Sequence, residues 1–201
     1  MVVQAVAAQA VLKYKHEDGT IVEYRVWNPK NSMLSAAIHC DVVRDIWMKP
    51  GAHVLYVMYS SATTLSHVSD IVGPTGLVYV VESPHRRAKE LIEMSHWSKN
   101  IIPYWKRCHR SYACYRMMID GLLDVVFSDV LKVKQAKTLV ETASLYLRAG
   151  GHLVMYTKAG GTCSTLSAEA QIEELRKYKF AQFHTISLDP YDSTHAFVMG
   201  C

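Results

Sequence analysis

The stretch VLYVMYSSATTLSHVSDIVGPTGLVYVVE (residues 54–82) places two runs of β-branched and aromatic residues on either side of an amphipathic segment. Residues 54–59 read as a buried strand, Thr63–Val72 as a helix closed by Gly73-Pro74, and residues 77–82 as the next strand. Two apolar strands joined by a helix of this length form a βαβ crossover, so the sheet is parallel here and covered by helices.

The alternation continues outward. Residues 84–98, 134–147 and 167–178 carry helical spacing, and the helix of 134–147 is expected to end at Gly150-Gly151. Residues 101–105, 122–130, 152–159, 180–188 and 195–200 read as strands. Upstream, Ser32–Trp47 has the periodicity of a helix with Ser32 as N-cap. Residues 11–27 form two β-rich runs about Asp18-Gly19, a hairpin turn signal. The fold class is therefore α/β: a mostly parallel Rossmann-like sheet, helices on both faces, an antiparallel edge pair at the end of the chain and a short N-terminal hairpin. Residues 1–28 are expected to form the hairpin segment and 29–201 the main domain.

Composition narrows the function classes. Half of the 201 residues are hydrophobic and a fifth charged, with 10 Gly and 6 Pro, which excludes disordered and collagenous chains. No apolar run approaches the ~20 residues of a membrane-spanning helix, so no membrane partner is expected. The five cysteines show no CxxC spacing, and no His or Cys set has metal-ligand spacing, so no metal is expected. The formal charge of +4 permits an RNA partner without requiring one. Its local concentration is more informative: Lys106, Arg107, Arg110 and Arg116 are interleaved with Tyr104, Trp105, Tyr112 and Tyr115, cations for phosphates beside rings for bases. A solvated basic loop would read the same way.

Ligands of open parallel sheets lie beyond the carboxyl ends of the strands. The candidate positions are therefore Met58–Thr64, Glu82, Ser128-Asp129 and Thr157-Lys158. Ser60–Thr64 also suits a helix N-cap, which exposes free N–H groups and is itself a weak phosphate site.

Several segments together resemble the fibrillarin family of RNA 2′-O-methyltransferases from box C/D ribonucleoproteins: VEYRVWNPKNSMLSAAI (22–38), KPGAHVLYV (49–57), TTLSHVSDIVGPTGLVYVVESPHR (63–86), NIIP (100–103), YRM (115–117), DVVFSDV (124–130), LRAGGHLVMYTKA (147–159), STLSAEA (164–170) and LDPYDSTHAFVMG (188–200). The resemblance implies a class I methyltransferase fold, S-adenosylmethionine as cofactor, RNA and ribonucleoprotein scaffold proteins as partners, and a nucleolar or nuclear location, with organellar and ribosome-bound roles open. It places the family's Lys-Asp-Lys-His tetrad on Met33, Asp129, Lys158 and His195, so the first lysine is replaced. It places the cofactor on Glu82, Ser61, Thr63 and Thr64.

Departures from the family pattern gather at the cofactor end. The stretch matching the family's G-A-A-S-G-T loop reads Met58-Tyr59-Ser60-Ser61-Ala62-Thr63, without either glycine, although a close backbone approach to a ligand favours glycine there. The acidic residue that follows NIIP in the family falls within Lys106-Arg107, a charge reversal. Met58, Tyr59, Ala62 and Arg107 are therefore expected to obstruct the cofactor. The resulting expectation is a catalytically impaired, RNA- or protein-binding ribonucleoprotein component of rRNA processing. The alternative is an active rRNA 2′-O-methyltransferase.

Overall fold

In the computed structural model, residues 11–40, 46–57, 61–82, 88–105, 122–129, 135–158, 168–178, 180 and 182–201 are described. Strands β1 (Val11–Lys15) and β2 (Ile21–Arg25) pair antiparallel as a separate two-stranded sheet. Gly19 takes φ +86° at the expected turn, a conformation open to glycine at no steric cost. Helix α1 (Met33–His39) follows, started by Ser32, whose Oγ accepts the Ser35 N–H. It is shorter than the predicted Ser32–Trp47: Cys40 caps it, residues 41–45 lie outside the described residues, and Trp47 has φ +56°, incompatible with a continuing helix.

The central sheet holds β3 (His53–Val57), β4 (Leu77–Glu82), β5 (Ile101–Trp105), β6 (Leu123–Ser128), β7 (Leu147–Lys158), β8 (Phe183–Leu188) and β9 (Asp192–Gly200). Their order is β5-β4-β3-β6-β7-β9-β8. The first five are parallel; β8 and β9 form the antiparallel pair expected from the spacing of the last two runs, and β9 also pairs antiparallel with β7. Helices α2 (Ala62–Val72), α3 (Ala88–Trp97), α4 (Gln135–Tyr146) and α5 (Ala168–Arg176) make the connections. One expectation fails locally. The helix before β7 ends at Tyr146 rather than at the glycines, because Leu147 already pairs with Leu123. Gly150, at φ +73°, belongs to the irregular start of the strand.

Side-chain alternation along the strands divides the core in two. Val54, Tyr56, Val80, Phe127, Val154, Tyr156 and Phe197 pack with α1 and α2 on one face. Leu55, Val57, Val126, Leu153, Met155 and Val198 pack with α4 and α5 on the other. Helix α1 lies across the first face, joined to α2 through Ser32 and His67 and to the β8–β9 turn through His39 and Tyr191. The hairpin is tied to α2 by Arg25, which pairs with Asp70 at 3.1 Å and donates to Ser66 Oγ at 2.8 Å. No described helix is long and apolar enough to cross a membrane.

Candidate functional site

The strand order reverses at β3, flanked by β4 on one side and β6 on the other, so the crevice beyond its carboxyl end is the expected ligand position of an open parallel sheet. Helix α2 begins there. Ser61 is its N-cap, in extended conformation, with Oγ accepting the Thr64 N–H at 3.2 Å and the two hydroxyls 3.0 Å apart. The Leu65 N–H opens the helical ladder on the Ser61 carbonyl, which leaves the N–H groups of Ala62 and Thr63 without partners inside the helix. Glu82 ends β4 one step past the Val57–Val81 pair. Met58, Tyr59 and the basic residues Lys106, Arg107, Arg110 and Arg116 lie outside the described residues.

A second group of polar residues stands at the same edge of β6, β7 and β9. Asp129 follows β6 directly and continues the alternation of Val125 and Phe127. Lys158 ends β7 opposite His195, its register partner on β9. Strand alternation puts Tyr156, Lys158 and His195 on the α1 side of the sheet. Met33 starts α1 and packs against the apolar cluster of that same face. It brings a thioether into a hydrophobic contact where the resemblance expects a cation.

Two buried glutamines lock this edge from the opposite face. Gln135 donates to the Tyr156 carbonyl at 3.0 Å and to Ser128 Oγ. Gln171 donates to Thr157 Oγ1 at 3.0 Å while its own oxygen accepts the Ala136 N–H. The ends of β6 and β7 are thus fixed to α4 and α5 by hydrogen bonds that a buried amide must make in any case.

His195 sits in a dense network. Its Nδ1 lies 2.6 Å from Asp192 Oδ2 and 2.8 Å from Thr194 Oγ1, and its ring stacks on Tyr156 with centroids 4.8 Å apart. The Tyr156 hydroxyl donates to the same Asp192 oxygen at 3.2 Å. Burial opposes ionisation of Asp192, but the donors from Thr194 and His195 outweigh it and hold the carboxyl below its ordinary value. The Tyr156 phenol is pushed up by burial and by Asp192, so it stays neutral and donating. Tyr156, Asp192, Gln135 and Gln171 were not singled out in the sequence. The D-x-x-H spacing at 192–195 was the available signal, and it is visible only once the β9 start is known to bend the two side chains together.

The sequence model of the family described as Fibrillarin matches residues 2–201. The chain belongs to the fibrillarin family. Among curated relatives it is similar to rRNA 2′-O-methyltransferase fibrillarin 1 of Arabidopsis thaliana, 44% identical over 201 residues, covering 98% of this chain and 64% of the relative. It is also similar to rRNA 2′-O-methyltransferase fibrillarin of Rattus norvegicus, 43% identical over 183 residues, covering 89% and 55%. The chain thus spans less than two thirds of the length of these fibrillarins. Among solved structures it superimposes on Aeropyrum pernix fibrillarin in complex with natively bound S-adenosyl-L-methionine, with TM-score 0.83 and 31% identity, covering 98% of this chain and 84% of that one. A fibrillarin/Nop5p complex matches with TM-score 0.69 and 28% identity, covering 92% and 86%. The fold expected from the sequence is that of fibrillarin.

Two cavities lined by described residues lie elsewhere. One, of about 450 Å³, opens at the amino edge of β4 and β5 between Gly73, Leu77 and Asn100. Another, of about 390 Å³, opens at the start of β7 beside Gly150 and Cys201. Neither reaches the carboxyl edge, so neither belongs to the candidate site. Among the described residues no group of three His, Cys, Asp or Glu is placed to hold a metal ion.

Proposed function

We propose that this fibrillarin-family chain is an RNA-handling component of rRNA processing that keeps the ribose-directed end of the family site and transfers methyl groups poorly. The observation that carries the reading is Met33, packed in the apolar cluster of the face on which Lys158 and His195 stand. The family lysine at this position would put a second cation on the face that carries Lys158, the residue proposed to take the ribose 2′-hydroxyl proton. With a thioether there, that contribution is missing.

N–H groups without helical partners at the α2 N-terminus suit the carboxylate of S-adenosylmethionine, and the resemblance assigns Glu82, the last residue of β4, to its ribose hydroxyls. Bound there, the cofactor would supply the electrophilic methyl group. This chain's residues would hold the RNA: Asp129 and Lys158 at the ribose, with the basic and aromatic residues of 104–116 along the strand. The replacements at Met58, Tyr59 and Arg107 argue against tight cofactor binding. A ribonucleoprotein scaffold protein is the proposed protein partner and the nucleolus the proposed location.

A second reading, an active rRNA 2′-O-methyltransferase, is favoured by the retention of Asp129, Lys158 and His195 at one sheet edge and by the likeness to a relative solved with its cofactor. Calorimetric titration with S-adenosylmethionine and S-adenosylhomocysteine, followed by transfer of labelled methyl to RNA, separates the two. Weak or absent cofactor binding with retained RNA binding supports the proposal. Micromolar binding with methyl transfer overturns it in favour of the enzyme.

A further inference from the structure

The two edges of the central sheet differ in how they are closed to a further strand. At one end β5 holds Pro103, and a proline in an edge strand is one of the devices that keep an edge from pairing. At the other end β8 reads Phe183-His184-Thr185-Ile186-Ser187-Leu188, with no proline and no Lys, Arg, Asp or Glu. No described strand pairs on its far side. Its register shift, between Ser187 and Leu188, comes only at the end of the strand.

The pairing with β9 fixes which backbone groups this edge exposes. The Cys201 N–H donates to the Gln182 carbonyl at 3.3 Å, which makes 182 and 201 a bonded pair of the antiparallel ladder. Bonded pairs recur at every second residue, so His184 and Ile186 turn their N–H and C=O groups toward Met199 and Phe197. Phe183, Thr185 and Ser187 therefore turn theirs outward, and the side chains of Thr185 and Ser187 are exposed. A row of backbone donors and acceptors at this spacing is answered by another extended strand.

The sequence around β8 is complementary to itself. Lys177 and Lys179 precede the strand and Asp189 follows it, so two copies laid antiparallel bring the basic end of each against the acidic end of the other. The pair that Lys177 makes with Glu174 is exposed and easily exchanged. About a two-fold axis at Thr185 the outward groups also meet in register. Phe183 then stands opposite Ser187 of the second copy and Thr185 opposite Thr185, with no like charges face to face. We propose that β8 is a homodimer interface, in which two copies of this chain join their central sheets by antiparallel β8–β8 pairing centred on Thr185. Because β7 and β8 are both antiparallel to β9, β8 runs parallel to β7. The two-fold therefore sets the carboxyl edges of the two copies on opposite margins of one continuous sheet. The pairing is independent of the RNA reading and of methyl transfer.

An interface built on one strand pair is small, so the full chain should exchange between monomer and dimer within about 1–100 micromolar in sedimentation equilibrium. A chain that stays monomeric throughout that range, or that grows beyond a dimer, overturns the proposal. As concentration rises, amide exchange should slow at Phe183, Thr185 and Ser187 and stay unchanged at His184 and Ile186, whose N–H groups are already paired. A dimer without that alternation overturns the strand pairing.

Thr185 reads the axis itself. Thr185→Lys and Thr185→Glu each put like charges directly opposite one another, and each should weaken self-association about threefold to fivefold. A mixture of the two variants should restore it, since lysine then faces glutamate. Self-association of either variant as strong as the parent's, or no recovery in the mixture, places the contact elsewhere and overturns the register. Should either variant fail to fold, Thr185→Pro removes an outward N–H, breaks no bond to β9, and should abolish the dimer. A dimer that persists in Thr185→Pro overturns the proposal.

Discussion

Trp27 stacks on His67, with ring centroids 4.1 Å apart and planes inclined by 22°. The contact links the segment after the hairpin to the middle of α2, and His67 passes it on to α1 through a 2.9 Å hydrogen bond with Ser32 Oγ. One fully buried imidazole thus joins three parts of the chain on the face that carries Met33.

Burial first, and the Arg25 cation second, push His67 down to about 3 from its ordinary value near 6.5. A depressed histidine contributes stability that is fully present above its unfolded pKa and is lost as pH falls toward the folded one. From about pH 6.5 downward, each pH unit should therefore remove up to about 1.4 kcal/mol. Asp70, raised by burial against the pull of Arg25, acts with the opposite sign at lower pH. The His67→Asn variant keeps Asp70 and cancels that contribution in the comparison. Urea unfolding at pH 7, 6 and 5 should show a steeper loss for the parent than for His67→Asn. Parallel curves would reject the assignment.

Gly76 offers a test of the turn before β4. A Cβ there would come within 2.6 Å of the Ala52 carbonyl oxygen and 2.7 Å of the Val72 backbone oxygen, two backbone atoms that cannot rotate away. Gly76→Ala should destabilise the fold by about 1–3 kcal/mol, the range for overpacking a tight site, and lower the thermal midpoint accordingly. An unchanged midpoint would mean that the α2–β4 turn and residue 52 separate without cost.

Much of this architecture was legible because it follows from periodicity. The runs at 54–59 and 77–82 read as buried strands; β4 occupies residues 77–82 as read, and β3 covers His53–Val57. The limits of α1 and the start of β7 were not legible. Cys40 ends α1 beside the Asp189 carbonyl, and Leu147 pairs with Leu123, contacts between residues far apart in the chain. The site divided likewise. Lys158 came from its place at the carboxyl end of a strand and His195 from motif resemblance, whereas Asp192 and Tyr156 depend on the pairing of β7 with β9, which no local pattern encodes.

Met33→Lys addresses the proposed function directly. Residue 33 is only partly buried, so a lysine stem can lie along the apolar cluster and extend its ammonium outward. A cost of about 1 kcal/mol in stability is expected, within the usual range for a point change. Methyl transfer to RNA should rise by at least about tenfold, since a better placed proton acceptor commonly contributes 10²–10⁴. No gain, with cofactor bound, would remove Met33 as the cause of impairment.

The basic segment makes a separate claim about RNA. Replacing Lys106, Arg107 and Arg110 with Glu should weaken RNA binding and reduce the dependence of log K on log salt, because each lost phosphate contact removes about 0.7 of slope for a single strand. Filter binding at several salt concentrations measures this. An unchanged slope would place the RNA on another surface.

The cofactor loop is the last point at which sequence departs from family. Restoring glycine at 58 and 62 with alanine at 59 removes two large side chains and returns backbone freedom where α2 begins. Glycine at 62, the first residue of the helix, costs about 0.5–1 kcal/mol, which a folded domain tolerates. If the loop alone excludes the cofactor, S-adenosylmethionine should bind this variant at micromolar concentration in calorimetry while the parent binds weakly or not at all. Should the variant fold and still not bind, the obstruction lies with the charge reversal at Lys106-Arg107, and adding Arg107→Asp should then restore binding. If the parent already binds as tightly as the variant, Met58 and Tyr59 do not occupy the ligand's space. Impairment would then rest on Met33 alone.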